Sequence, residues 1–149
     1  MPQGIIRDFA AMRLNYLAYP LITLCMLGCT GAPEQPASGA SLPDCGLLPN
    51  CVTSELSEGR KAVAPMEATA AQWRQLKQWI ASQQDWTITT DSGHFIQAVV
   101  KTPLMRFRDD VQLRFDEDAG IIHVRSSSRL GISDMGTNRR RVETLRRQL

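Results

Sequence analysis

The sequence predicts an α+β domain of two layers, a four-stranded antiparallel sheet with an N-terminal and a C-terminal helix on one face. Three observations lead there. Apolar residues recur at helical spacing between Ala68 and Gln83. The period then drops to two through four successive segments separated by short polar turns. Helical spacing returns at the C-terminal end. Strands that follow one another through short turns pair antiparallel, and such a sheet buries one face against its helices.

In the first helix, Trp73, Leu76 and Ile80 form the inward stripe, with Met66 and Ala70 flanking and Trp79 at its edge. These tryptophans read as core rather than as ligand stackers. The strands are expected at Trp86–Thr90, His94–Lys101, Asp110–Asp116 and Ile121–Ser127. Asp91-Ser92-Gly93 and Asp116 to Gly120 have the composition of turns. Thr102 to Arg108 reads as a connecting loop with Leu104, Met105 and Phe107 as buried anchors. The last helix is expected from Asp134 to Leu149, capped by Ser133, with Met135, Val142, Leu145 and Leu149 inward and Asn138 in the same stripe. Asp134 suits the positive end of that helix dipole, whereas Arg139, Arg140 and Arg141 do not.

Ahead of the domain stands a different kind of segment. Arg13 precedes the apolar run Tyr16–Leu27, the length of a signal-peptide hydrophobic region and short of the roughly 20 residues a spanning helix needs. Met26-Leu27-Gly28-Cys29 resembles the lipobox of bacterial lipoproteins, which makes Cys29 the lipidated first residue of the mature chain. The expected organisation is a signal peptide over 1–28, a flexible tether over 29–43 and one domain over 44–149, with Met12 as an alternative start. The tether, rich in Pro, Gly and Ser, spans about 20 Å on average as a random coil. Of four cysteines, Cys45 and Cys51 then remain in an oxidising periplasm. A structural disulfide is favoured; redox catalysis and metal binding are the alternatives, although C-x5-C is not the redox C-x-x-C and two histidines make a poor zinc set. No metal or cofactor is implied.

The net charge of +2 excludes a strong polyanion field, and the compartment argues against nucleic acid as a partner. The charge is uneven. Thr30 to Val100 holds four Lys/Arg against seven Asp/Glu, and Lys101 to Leu149 holds eleven against seven.

Three segments together resemble a bacterial domain-of-unknown-function family, DUF1499: Asn50 with Cys45-x5-Cys51-Val52-x-Ser54; Asp109-Asp110-Val111; and Ser128-Arg129-Leu130-Gly131-x-Ser133-Asp134-x-Gly136-x-Asn138 with Arg139 to Glu143. The resemblance covers Asp44 to the C-terminus and implies no established reaction. It leads to an acidic residue at position 99, where this chain has valine.

Each candidate site carries a plain structural reading beside a functional one. Gln112, Arg114, His123 and Arg125 would share the sheet face opposite the helices, either solvated or as a shallow anion-binding surface, since arginine forks suit planar oxyanions. Asp109 and Asp110 are adjacent in a strand and point to opposite faces, so ion pairing with nearby arginines is favoured over a shared acid–base site. Arg125, Arg129, Asn138, Arg139 and Arg141 are the candidate binding residues; for the last helix, ion pairs with Asp109 or Asp110 are the bland reading. Asp110, His123 and Asp134 are the candidates for acid–base catalysis. The expected protein is a lipid-anchored, periplasm-facing module at the cell envelope, on the outer membrane in a Gram-negative cell. It would bind an anionic ligand, lipid headgroup or envelope protein without catalysing a reaction; a small lipid-anchored enzyme is the alternative.

Overall fold

A computed structural model describes residues 39–149. The segment expected as a signal peptide, Cys29 and the expected tether as far as residue 38 lie outside the described residues. The domain is α+β, as expected, but its antiparallel sheet has six strands rather than four. They are β1 (Cys51–Thr53), β2 (Met66–Glu67), β3 (Trp86–Asp91), β4 (Phe95–Lys101), β5 (Arg108–Asp116) and β6 (Ile121–Ser128), with helices α1 (Ala70–Ser82) and α2 (Thr137–Arg146). The order is β1-β6-β5-β4-β3, and β2 also pairs with β6. The two additional strands have three residues and two, too short to show an alternating pattern.

One core joins both helices to the sheet. Ile96, Ala98, Val100, Val111, Leu113, Ile122 and Val124 pack with Trp73, Leu76 and Ile80 of α1 and with Val142 and Leu145 of α2. Trp73 stacks on Phe115, their centroids 5.6 Å apart, and donates its indole N–H to the Gly93 carbonyl. Helix α1 starts at a capping box: Thr69 Oγ1 accepts from Gln72 N–H while Gln72 Oε1 accepts from Thr69 N–H, satisfying two otherwise orphaned donors.

Three local expectations are corrected. Helix α2 begins at Thr137, because Met135 and Gly136 take left-handed backbone angles (φ 50° and 78°) that no α-helix contains. Met135 therefore lies outside the helix and is exposed. Leu104, Met105 and Phe107 are exposed as well, because the chain closes its own loop there: Thr102 N–H reaches the Phe107 carbonyl and Arg106 N–H the Thr102 carbonyl. On the face opposite the helices, Gln112 and Arg125 are buried while Arg114 and His123 are half-buried. The chain before and after β1 contributes here: Leu42 is buried and donates its N–H to Glu55, whose carboxylate also meets Arg114.

Candidate functional site: a groove over a buried ionic floor

The three segments that carry the family resemblance meet at one place. Val100, Asp109 and Ser128 stand side by side across β4, β5 and β6, on the helix face near one end of the sheet. The Cys45–Cys51 disulfide holds the preceding loop against β1, with Cα atoms 5.6 Å apart. Asn50, inside that loop, accepts from Ser128 N–H at its carbonyl and donates its side chain to the Gly131 carbonyl.

Asn138, fully buried in the first turn of α2, links these pieces. Its Oδ1 accepts from Ser126 Oγ (2.7 Å) and Arg141 Nη1 (2.5 Å), and its Nδ2 donates to the Asn50 carbonyl (2.9 Å) and Ser128 Oγ (3.1 Å). An amide offers two donors and a two-pair acceptor, so its capacity is filled. Beside it the buried guanidinium of Arg141 meets the buried Asp109 carboxylate at 2.5 Å and Ser126 Oγ at 2.9 Å.

The rest of the arginine triplet is also engaged. Arg139 donates to the Arg60 and Ala62 carbonyls, fastening α2 to the segment after β1. Arg140, exposed, donates to the Met135 carbonyl and Thr137 Oγ1. Asp134 compensates the helix start, since its carboxylate accepts from Gly136 N–H (3.0 Å) and Asn138 N–H (2.8 Å). The dipole that disfavours cations at this end thus meets a carboxylate first.

On the outer face, Asp110 forms a two-pronged pair with Arg129, Nε to Oδ2 at 2.8 Å and Nη2 to Oδ1 at 2.7 Å. That hydrogen-bonded pair raises the Arg129 pKa against the opposing effect of burial. Arg125 is shifted the other way, lowered by burial against the attraction of Asp110 and Asp44, and it donates to Ser127 Oγ and Gln112 Oε1. Val99 stands opposite Asp110 in the register. His123 Nδ1 lies 3.7 Å from Glu55 Oε2, beyond hydrogen-bonding distance. Glu55 was not singled out from the sequence, where nothing separates it from Glu58 three residues on. Asp110 and His123 thus share the outer face, Asp134 lies on the helix side, and the three do not form one constellation. Among the described residues no group of three or more His, Cys, Asp or Glu could hold a metal ion.

Above the Val100–Asp109–Ser128 floor, α1 and α2 leave an open groove of about 910 Å³. Trp79 and Trp86, set edge to face at 6.0 Å, form one wall. Leu104, Met105, Leu130 and Met135 form the loop side, and Arg140, Arg141 and Thr144 line it from α2. Apolar walls over a few polar groups are the usual composition of a site for a small amphipathic molecule.

The fold and groove define a small α+β domain with an open cleft between two helices, its acid–base candidates divided between two faces of the sheet. The chain belongs to the DUF1499 family, whose model, described as "Protein of unknown function (DUF1499)", matches residues 41–149. No curated protein and no solved structure matches the chain.

Proposed function

We propose that the protein is a non-catalytic binding module of the cell envelope, held to the membrane by a lipid on Cys29 and facing the periplasm, whose groove takes the apolar part of an amphipathic ligand. The observation that carries this reading is the groove itself, apolar in its walls and open to solvent, with an exposed cation at its mouth. Arg125, Arg129 and Arg139 do not line the groove and Arg141 is buried against Asp109, so the anion-binding part of the reading passes to the exposed Arg140, with Lys101 also in the lining. The Arg140 guanidinium rests on neighbouring loop and helix oxygens and can turn toward a charged headgroup. The alternative, a lipid-anchored enzyme using Asp110, His123 and Asp134, would need these residues in one cavity, and they occupy two faces of the sheet.

The reading is tested by titrating the protein with a fluorescent fatty acid and following energy transfer from Trp79 and Trp86. Thr144→Trp places a bulky ring in the groove from the half-buried face of α2 without touching the core. Binding weakened at least tenfold, with the melting temperature kept, is the expected result; unchanged binding refutes the assignment to this groove.

A further inference from the structure

The nine large apolar side chains exposed among the described residues are not scattered. All but Leu56 lie in three loops, the disulfide loop, the β4–β5 loop and the β6–α2 loop. The strand register brings these loops to one end of the sheet, because Cys51 pairs with Ser127 and Asp109 with both Ser128 and Val100. They are also tied together, through Asn50 to the Gly131 carbonyl and through Arg129 N–H to the Arg108 carbonyl. Leu47, Leu104, Ile132 and Met135 stand at 100, 90, 75 and 87% exposure, so they are not the margins of a packed core.

Charge follows the same axis. Lys101, Arg106 and Arg108 flank the β4–β5 loop and enter no ion pair among the described residues. Arg140 adds a further exposed cation, against Asp44, Asp85 and the helix-capping Asp134. The opposite end of the sheet carries Asp116, Glu117 and Asp118 at the β5–β6 turn, and Asp91, paired with Lys77, at the end of β3. One end is apolar and basic, the other acidic. An anionic lipid surface attracts the first and repels the second, and apolar tips on separate loops can enter the headgroup region independently.

We infer that this end of the domain docks on an anionic bilayer, the three loop tips entering its interface and Lys101, Arg106 and Arg108 meeting lipid phosphates. The inference concerns the rim of loops and does not need the groove to hold a ligand. Leu47 and Ile132 belong to the rim alone, since neither lines the groove. The test is hydrogen exchange on the full chain in nanodiscs, with discs containing a quarter phosphatidylglycerol compared against pure phosphatidylcholine. Amides of all three loops should slow at least fivefold in the anionic discs, with the turn at 116–120 unchanged. The double substitution Leu47→Asp and Ile132→Asp should abolish that protection while melting temperature and fatty-acid affinity are retained. Three results overturn the inference. One is equal exchange in both lipids. Another is protection of the acidic turn together with the loops. The third is loop protection that appears only with two chains per disc, which would make a second copy the occupant.

Discussion

Replacing Arg141 with methionine keeps much of the aliphatic stem and removes the guanidinium that neutralises Asp109. Both side chains are buried, so the carboxylate left behind has no solvent to take over. Breaking a buried pair from one side costs about 3–5 kcal/mol, a large share of the roughly 5–15 kcal/mol that holds a domain folded. The loss also removes a donor from Ser126 and from Asn138 Oδ1. With a urea dependence of about 1–3 kcal/mol/M, the midpoint should fall by roughly 2 M, read by tryptophan fluorescence because Trp73 is buried against Phe115. Removing both charges is the sharper measurement. Arg141→Met combined with Asp109→Leu should cost less than Arg141→Met alone, since no stranded charge remains. Costs that add within about 0.5 kcal/mol, or a single substitution costing under about 1 kcal/mol, would refute a coupled ionic floor.

Three other outcomes follow from single features. Replacing Cys45 and Cys51 together by serine should lower stability by about 2 kcal/mol, the chain-entropy value for so short a loop, and wild-type protein melted in reductant should match the variant. Asp91 sits 2.6 Å from Lys77, and its carboxyl is held below the usual range; burial acts to raise it but is outweighed by hydrogen bonds from Lys77 and Gly93 and the charge of Lys77. A carboxyl depressed in the folded state stabilises above its unfolded pKa of roughly 4, and that contribution disappears as pH falls through the folded value. Asp91→Asn should therefore cost a few tenths of a kcal/mol at pH 7, as for exposed pairs, and nothing near pH 2 in matched thermal melts. Cys29→Ala, combined with Leu47→Asp and Ile132→Asp so that loop docking cannot hold the domain, should move the protein from the membrane fraction to the soluble one; continued retention would sink the lipid-anchor reading.

Where the chain repeats a period over several residues, the sequence reading and the structure coincide. Trp73, Leu76 and Ile80 face inward, and so do Val111, Leu113 and Phe115. Strands β1 and β2 escaped because three and two residues cannot display alternation, and because their partner, β6, lies more than fifty residues away. The start of α2 was misplaced for a chemical reason. Ser133-Asp134 looks like a cap, and Asp134 does hold two backbone N–H groups, but two left-handed residues intervene before the helix turns. Ion pairing of Asp109 and Asp110 with arginine was legible from their neighbours. Which arginine meets which carboxylate was not, because Arg141 is 32 positions from Asp109 and only the docked helix brings them together. The apolar groove was invisible for the converse reason: Leu104, Met105 and Met135 have core composition, and nothing local says that the chain leaves them outside.

Strand β6 accepts β5 from its near past and β1 and β2 from the distant start of the domain. The hairpins among β3, β4, β5 and β6 can zip through short turns, but β1 has no antiparallel partner until β6 exists, and the Asn50 carbonyl receives the Asn138 side chain only when α2 arrives. The ends of the domain are thus fastened to each other as well as to the middle, a high-contact-order closure whose loop entropy must be met before it yields stability. A chain emerging from its N-terminus leaves β1 without its strand partner until β6 is present. A truncation of α2 would therefore loosen the beginning of the domain as well as its end, because Asn138 and Arg139 bond Asn50, Arg60 and Ala62.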